Sequence, residues 1–198
     1  RGSAHSVGMT AVDERPLPPD RVWNMRIPGL ENGQPPESAT EEQLWDRWYR
    51  FMKDLLPVAE EAGVVLAAHP DDPPVERVRQ QPKLGWNSQR YLRIIEELDS
   101  PYNRLELCLG TLAEMADHDV YATVERTGSR KRIGYIHFRN VVGSAPDYRE
   151  VFLDEGKLDV NRILRILKAT GYDGVIVPDH TPLLTCDAPW HAGMAYAM

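Results

Sequence analysis

The chain has 198 residues, 42% of them apolar, and a formal net charge of −7. That length suits one domain with a sizeable core, the acidic balance and the lack of a basic stripe exclude a general nucleic-acid binder, and no apolar run is long enough to span a bilayer. Two cysteines, Cys108 and Cys186, are too few for a disulfide framework, no signal peptide is visible, and the expected compartment is the cytoplasm.

Residues 1–39 carry Pro16, Pro18, Pro19, Pro28, Pro35 and Pro36, which break regular structure. They read as an irregular arm or a remnant of preceding units, with one short strand over residues 22–27. From Thr40 the pattern changes. Thr40 and Gln43 have capping-box spacing, and Leu44, Trp48, Phe51, Leu55, Val58 and Ala59 recur at helical spacing. Pro57 is expected to kink or divide this helix, and Gly63 to end it. Residues 64–68 then read as a short, fully buried strand stopped by Pro73 and Pro74.

Residues 88–98 predict a helix with Leu92, Ile95 and Leu98 inward, followed by a strand ending at Cys108. Residues 111–126 predict one helix burying Leu112, Met115, Val120 and Val124. Residues 133–136 predict a strand that runs into His137, and residues 143–156 a long loop. Residues 159–170 form an amphipathic pattern with Val160, Ile163, Leu164 and Leu167 inward, capped by Gly171. A last strand over residues 175–178 delivers Asp179 and His180, and a helix begins near residue 192.

Helices thus alternate with strands, which means a parallel sheet with crossover connections. No glycine-rich phosphate loop follows any strand. The α/β solution that remains is the (β/α)8 barrel, whose active site gathers at the C-terminal strand ends. A whole barrel takes about 250 residues, so residues 40–198 are expected to form the C-terminal part of one.

His69, Cys108, His137 and Asp179 each stand at the mouth end of a different strand. Singly, a cysteine after an apolar strand is more often a small buried hydrophobe, and a strand histidine a hydrogen-bonded core residue. In phase on consecutive strands, they offer nitrogen, sulfur and oxygen donors of the kind that suit Mn, Fe, Co, Ni or Zn rather than Mg or Ca. Around them, Asp71 and Asp72 either hold substrate hydroxyls or are turn aspartates. Arg139 either grips a carboxylate through its planar fork or makes a surface ion pair. His180 is either an acid–base group or a partner that orients Asp179.

The run His69-Pro70-Asp71-Asp72-Pro73-Pro74 resembles the HPDDPP motif of the sugar-catabolic mannonate dehydratases, a barrel family of the xylose-isomerase-like type. The segments around His137-Phe138-Arg139-Asn140, Leu107-Cys108-Leu109-Gly110, Pro178-Asp179-His180 and residues 56–63 are similar to further stretches of that family, so the resemblance covers about residues 42–182. It implies a divalent Mn or Fe ion on His69, Cys108, His137 and Asp179, and loss of water from D-mannonate to give 2-dehydro-3-deoxy-D-gluconate. It implies an acid–base role for His180 and substrate contacts for Arg139 and Asn140. The family continues Pro-Asp-His with Gly-His, where this chain has Thr181-Pro182. The catalytic tyrosine expected in the following segment is open between His191 and Tyr196. Competing expectations are a metal-assisted sugar isomerase or epimerase on the same barrel, or a non-catalytic half-barrel that binds a metal or sugar acid. A half-barrel exposes sheet edges, so a homo-oligomer is expected.

Overall fold

The computed structural model describes residues 22–24, 39–78, 81–116 and 118–198. Helix α1 (Glu41–Ala62) opens on the expected capping box: the Gln43 amide N–H donates to Thr40 Oγ1 at 3.2 Å, and the Thr40 N–H to Gln43 Oε1 at 2.9 Å. Gly63 closes the helix at φ 68°, a left-handed turn that costs glycine little. Pro57 does not divide α1. It lies on the exposed side, where the carbonyl it leaves unbonded faces water. The buried face is also offset from the expected one. Trp45, Met52, Leu56 and Ala59 point inward, whereas Phe51 and Val58 are exposed. Both sets fit a 3.6-residue repeat, and packing on the following helix decides between them: Arg93 lies 4.1 Å from the Trp45 ring centroid.

The central sheet has the order β2 (Leu66–Ala68), β5 (Asn103–Cys108), β6 (Ile133–Phe138), β9 (Ile176–Pro178), and every pairing in it is parallel. Its crossovers carry α2 (Ser88–Glu97), α3 (Leu109–Glu114), α4 (Val120–Ser129) and α5 (Val160–Ala169). β5 and β6 form the middle, and Leu105, Leu107, Cys108 and Ile136 are fully buried there. Strand β2 is shorter and more exposed than the residue 64–68 run predicts. Among the described residues β2 has one sheet neighbour, as does β9. Val64, Val65, Val175 and Ile176 lie exposed beside those two edges.

The helix expected over residues 111–126 is two helices. Asp119 caps α4 by accepting from the Ala122 N–H at 3.0 Å, which restarts the helix after α3 has ended. Leu112, Met115, Val120 and Val124 are nonetheless all buried. The loop expected over residues 143–156 is largely a hairpin, β7 (Asn140–Ser144) with β8 (Asp147–Val151). β8 also pairs with β1 (Val22–Asn24), so the short strand read in residues 22–27 exists and completes an antiparallel sheet of three strands. The rest of the expected arm lies outside the described residues. α5 buries Ile163 and Leu167, but Leu164 is exposed, because an inward stripe of a single-sided helix is narrower than its apolar pattern. A last helix, α6, spans Pro189–Ala197. Among the described residues no helix is long and apolar enough to cross a membrane.

Candidate metal centre and active site

In a parallel sheet, side chains two residues apart on a strand share a face, and in-register neighbours bring equivalent ends together. Cys108 pairs with His137, and His137 with Val177, two residues before Asp179. Asp179 therefore falls on the same face one step beyond the other two. His69 follows β2 directly. The donor atoms of His69, Cys108 and His137 all lie within 4.8 Å of one another. Asp179 stands beside that trio, with Oδ2 3.4 Å from His137 Nδ1. Three of the four residues chosen from the sequence thus share one point at the sheet's C-terminal end, and Asp179 borders it through His137.

Local bonds fix how they face. His69 Nδ1–H donates to the Pro70 carbonyl at 2.5 Å, which leaves Nε2 for the interior. Cys108 is fully buried, and its Sγ lies 3.2 Å from Thr111 Oγ1. Burial pushes the Cys108 thiol up, but the Arg139 guanidinium and hydrogen bonds from His137 and His69 outweigh it and bring it down to about 6. Burial likewise works against charge on the two imidazoles. Even so, the neighbouring Cys108 and Glu106 push His69 up to about 9, and Asp179, Cys108 and Glu106 push His137 up to about 12. Burial also works against the Asp179 carboxylate, yet His137, His180 and Arg139 pull it down to about 2. The site is a cluster of opposite charges that stabilise one another.

His69, His137 and Asp179 line a cavity of about 440 Å³ together with Pro70, Asp71, Asp72, Lys83, Glu106, Tyr135, Arg139 and His180, and Cys108 lies buried behind it. That volume suits a small ligand. Asp71 Oδ2 accepts from the Gly85 N–H at 2.8 Å, and Oδ1 lies 3.2 Å from Lys83 Nζ. Asp72 accepts from Arg139 Nη1 at 2.9 Å, Thr111 Oγ1 at 3.2 Å and Tyr148 at 3.4 Å. His180 sits at φ 46°, sparsely populated for a non-glycine residue. Its Nδ1 meets Glu150 Oε1 at 2.5 Å, which orients the ring.

The remaining expected residues fall differently. Arg139 is not a surface ion pair. Its side chain is 3% exposed and its two terminal nitrogens engage Asp72, Glu114 and Glu150. Gly110 makes room for it, since a Cβ there would lie 2.1 Å from Arg139 Nε. Asn140, expected to touch substrate, lies away from the cavity. Its Nδ2 donates to the Leu153 and Leu158 carbonyls at 2.8 and 3.0 Å, and its Oδ1 accepts from the Val141 and Leu158 N–H groups at 3.0 and 3.1 Å. It clamps the segment after β8. Neither His191 nor Tyr196 reaches the cavity. His191 is exposed on α6, and Tyr196 donates to Asp154 Oδ2 at 3.1 Å with its ring on Phe152. α6 starts beyond the residue 181–188 segment and carries both away from the strand ends.

Sequence reading passes over Lys83, Glu106, Tyr135 and Glu150. Glu106 and Tyr135 had a visible signal: each lies two residues before a site residue, on the same face of its strand. Lys83 and Glu150 come from segments without clear periodicity.

A parallel β/α sheet with polar groups gathered at its C-terminal edge defines the chain as part of a barrel of the xylose-isomerase-like type. One protein of that fold, the IolI protein solved with a zinc atom, superimposes at TM-score 0.55 with 15% identity, over 82% of this chain and 56% of the other. The match to a family is more specific. The model described as D-mannonate dehydratase (UxuA) matches residues 32–197, and the chain belongs to that family. Mannonate dehydratase of Streptococcus suis is 34% identical over 146 residues, 73% of this chain and 40% of the relative. The crystal structure of the enzyme from Streptococcus suis serotype 2 superimposes at TM-score 0.70 with 31% identity, covering 81% of this chain and 45% of that one. The chain thus spans about two-fifths of the length of the curated relatives it matches.

Proposed function

We propose that the chain supplies the metal-binding and proton-transfer groups of a metal-dependent dehydratase acting on a sugar acid, with D-mannonate as substrate and 2-dehydro-3-deoxy-D-gluconate as product. The observation that carries this reading is the convergence of His69, Cys108, His137 and Asp179 at one end of the parallel sheet. Two imidazoles, a thiol that ionises near neutrality and a carboxylate are a donor set for a borderline divalent ion, Mn or Fe in this family. His137 Nδ1 is buried between the carboxylates of Glu106 and Asp179, at 2.8 and 3.4 Å, an anionic surround that suits a cation. Such an ion, when bound, stabilises the negative charge that develops next to the substrate carboxylate.

The chain's own residues account for the rest. Dehydration removes the proton at C2 and expels the C3 hydroxyl, which takes up a proton and leaves as water. With Nδ1 held by Glu150, His180 presents Nε2 for that proton traffic. Asp72, held by Arg139, and Asp71 offer acceptors to substrate hydroxyls. Lys83 stands at the rim as a cation for the carboxylate, while Arg139 acts by positioning Asp72. Purified protein given D-mannonate and Mn is expected to release the 2-keto-3-deoxy acid, and His180→Ala to lose that product while still binding metal. Metal bound without product from D-mannonate, in the presence of assembled partner chains, moves the reading to another sugar acid or a sugar isomerase.

Among the described residues β2 and β9 are the edges of the central sheet, flanked by Val64, Val65, Val175 and Ile176, and they favour pairing with a second copy, because strand edges beside apolar side chains seek cover. Sedimentation at micromolar concentration is expected to give a dimer or larger. A monomer contradicts this.

A further inference from the structure

Glu106 is the one carboxylate inside the sheet's apolar middle strand, in the run Leu105-Glu106-Leu107-Cys108. It is 4% exposed, a costly place for a charge without a partner. Its two oxygens are treated unequally. Oε2 accepts the hydroxyl hydrogen of Tyr135, its cross-strand neighbour in register. Oε1 is buried and has no hydrogen-bond partner.

That free oxygen points at the two imidazoles. It lies 2.8 Å from His137 Nδ1 and 3.7 Å from His69 Nε2. The 2.8 Å contact is an ion pair of the ion-free protein, and the His137 proton in it stands where a cation bound to both atoms would. Such an arrangement fits atoms that share a third centre. Donors about 2.1 Å from one ion are separated by about 3.0 Å at right angles and about 3.4 Å at a tetrahedral angle. The Glu106 separations bracket these values, and the 3.4 Å between His137 Nδ1 and Asp179 Oδ2 equals the second.

We propose that Glu106 Oε1 is a further ligand of the metal, joining His69, Cys108, His137 and Asp179, with Tyr135 holding the other oxygen so that the carboxylate binds through one atom. This rests on the metal-site reading above. It makes the shell richer in anionic oxygen than the motif residues alone provide. It also gives Tyr135 a positioning role at the cavity wall.

The test is titration of Co(II) into the wild-type chain and into Glu106→Gln, followed by both affinity and the visible d–d spectrum, with apo-protein melting as a fold control. Loss of an inner ligand lowers the coordination number, so Glu106→Gln is expected to weaken binding by 10-fold or more and to intensify the d–d bands. Tyr135→Phe is expected to keep the wild-type band shape with a smaller loss of affinity. Weaker binding with an unchanged spectrum puts Glu106 outside the shell and overturns the inference, as does unchanged affinity. If Glu106→Gln fails the fold control, Glu106→Asp is read in its place: its shorter carboxylate should alter the spectrum, and an unaltered one overturns the inference. Wild-type protein that takes up no Co(II) overturns the metal-site reading itself, and this inference with it.

Discussion

Replacing Arg139 with alanine should destabilise the fold by about 3–5 kcal/mol, the usual cost of removing one partner from a buried ion pair. The side chain is 3% exposed, and Glu114 and Glu150 beside it are 0% and 3% exposed, so water screens little of the interaction. Burial pushes the Glu114 carboxyl up strongly, against the pull of Arg139. For Asp72 the guanidinium wins over burial and holds the carboxyl below its ordinary range. Without Arg139, Asp72, Glu114 and Glu150 lose the guanidinium they share, and Cys108 loses the charge that favours its thiolate. Urea denaturation checks this: the midpoint should fall with little change in slope. Arg139→Lys should recover only part of the loss, because one ammonium cannot reproduce a fork that reaches three carboxylates. A change under about 1 kcal/mol in Arg139→Ala would show that these contacts are dispensable.

Metal loading should act on stability in the opposite direction. A ligand that binds only the folded state at about 100 times its dissociation constant adds about 2.7 kcal/mol, which for a chain of this size raises the melting temperature by roughly 5–11 °C. Mn is expected to give that rise in the wild type and none in His137→Ala. The effect should also depend on pH in a fixed sense. His69 and His137 hold protons up to about 9 and about 12 in the ion-free protein, and the Cys108 thiol ionises near 6. A cation must displace those protons. Affinity should therefore rise with pH between about 5.5 and 8, and binding at neutral pH should release about two protons, measurable by calorimetry in buffers of different ionisation heat. A melting temperature that does not respond to Mn at any of these pH values would contradict the expectation.

The sequence was most legible where a repeating physical constraint acts on neighbouring residues. The capping box at Thr40 and Gln43, the apolar strands and the residue placed after each of them follow from local rules, and they were enough to locate His69, Cys108, His137 and Asp179. Roles set by long-range contacts were not legible. Asn140 and Arg139 lie three and two residues after His137, and that closeness suggests a shared task. Their side chains turn instead toward Leu153 and Leu158, and toward Glu114 and Glu150, partners that only the folded chain brings close. The residue 143–156 segment looked like a loop because β7 and β8 are short and polar, although Val141, Tyr148 and Val151 are buried in their hairpin. His191 and Tyr196 rest on the resemblance, which implies a tyrosine in the segment after Pro178-Asp179-His180, and α6 sets both apart from the cavity in space.

The central claim is that the strand ends form one divalent-metal site that includes the Cys108 thiolate. The most direct measurement is Co(II) titration of the purified chain, followed through the thiolate-to-cobalt charge-transfer band. The account predicts saturation at one ion per chain, with a band that vanishes in Cys108→Ser. Saturable binding without that band, or no saturable binding, would contradict it.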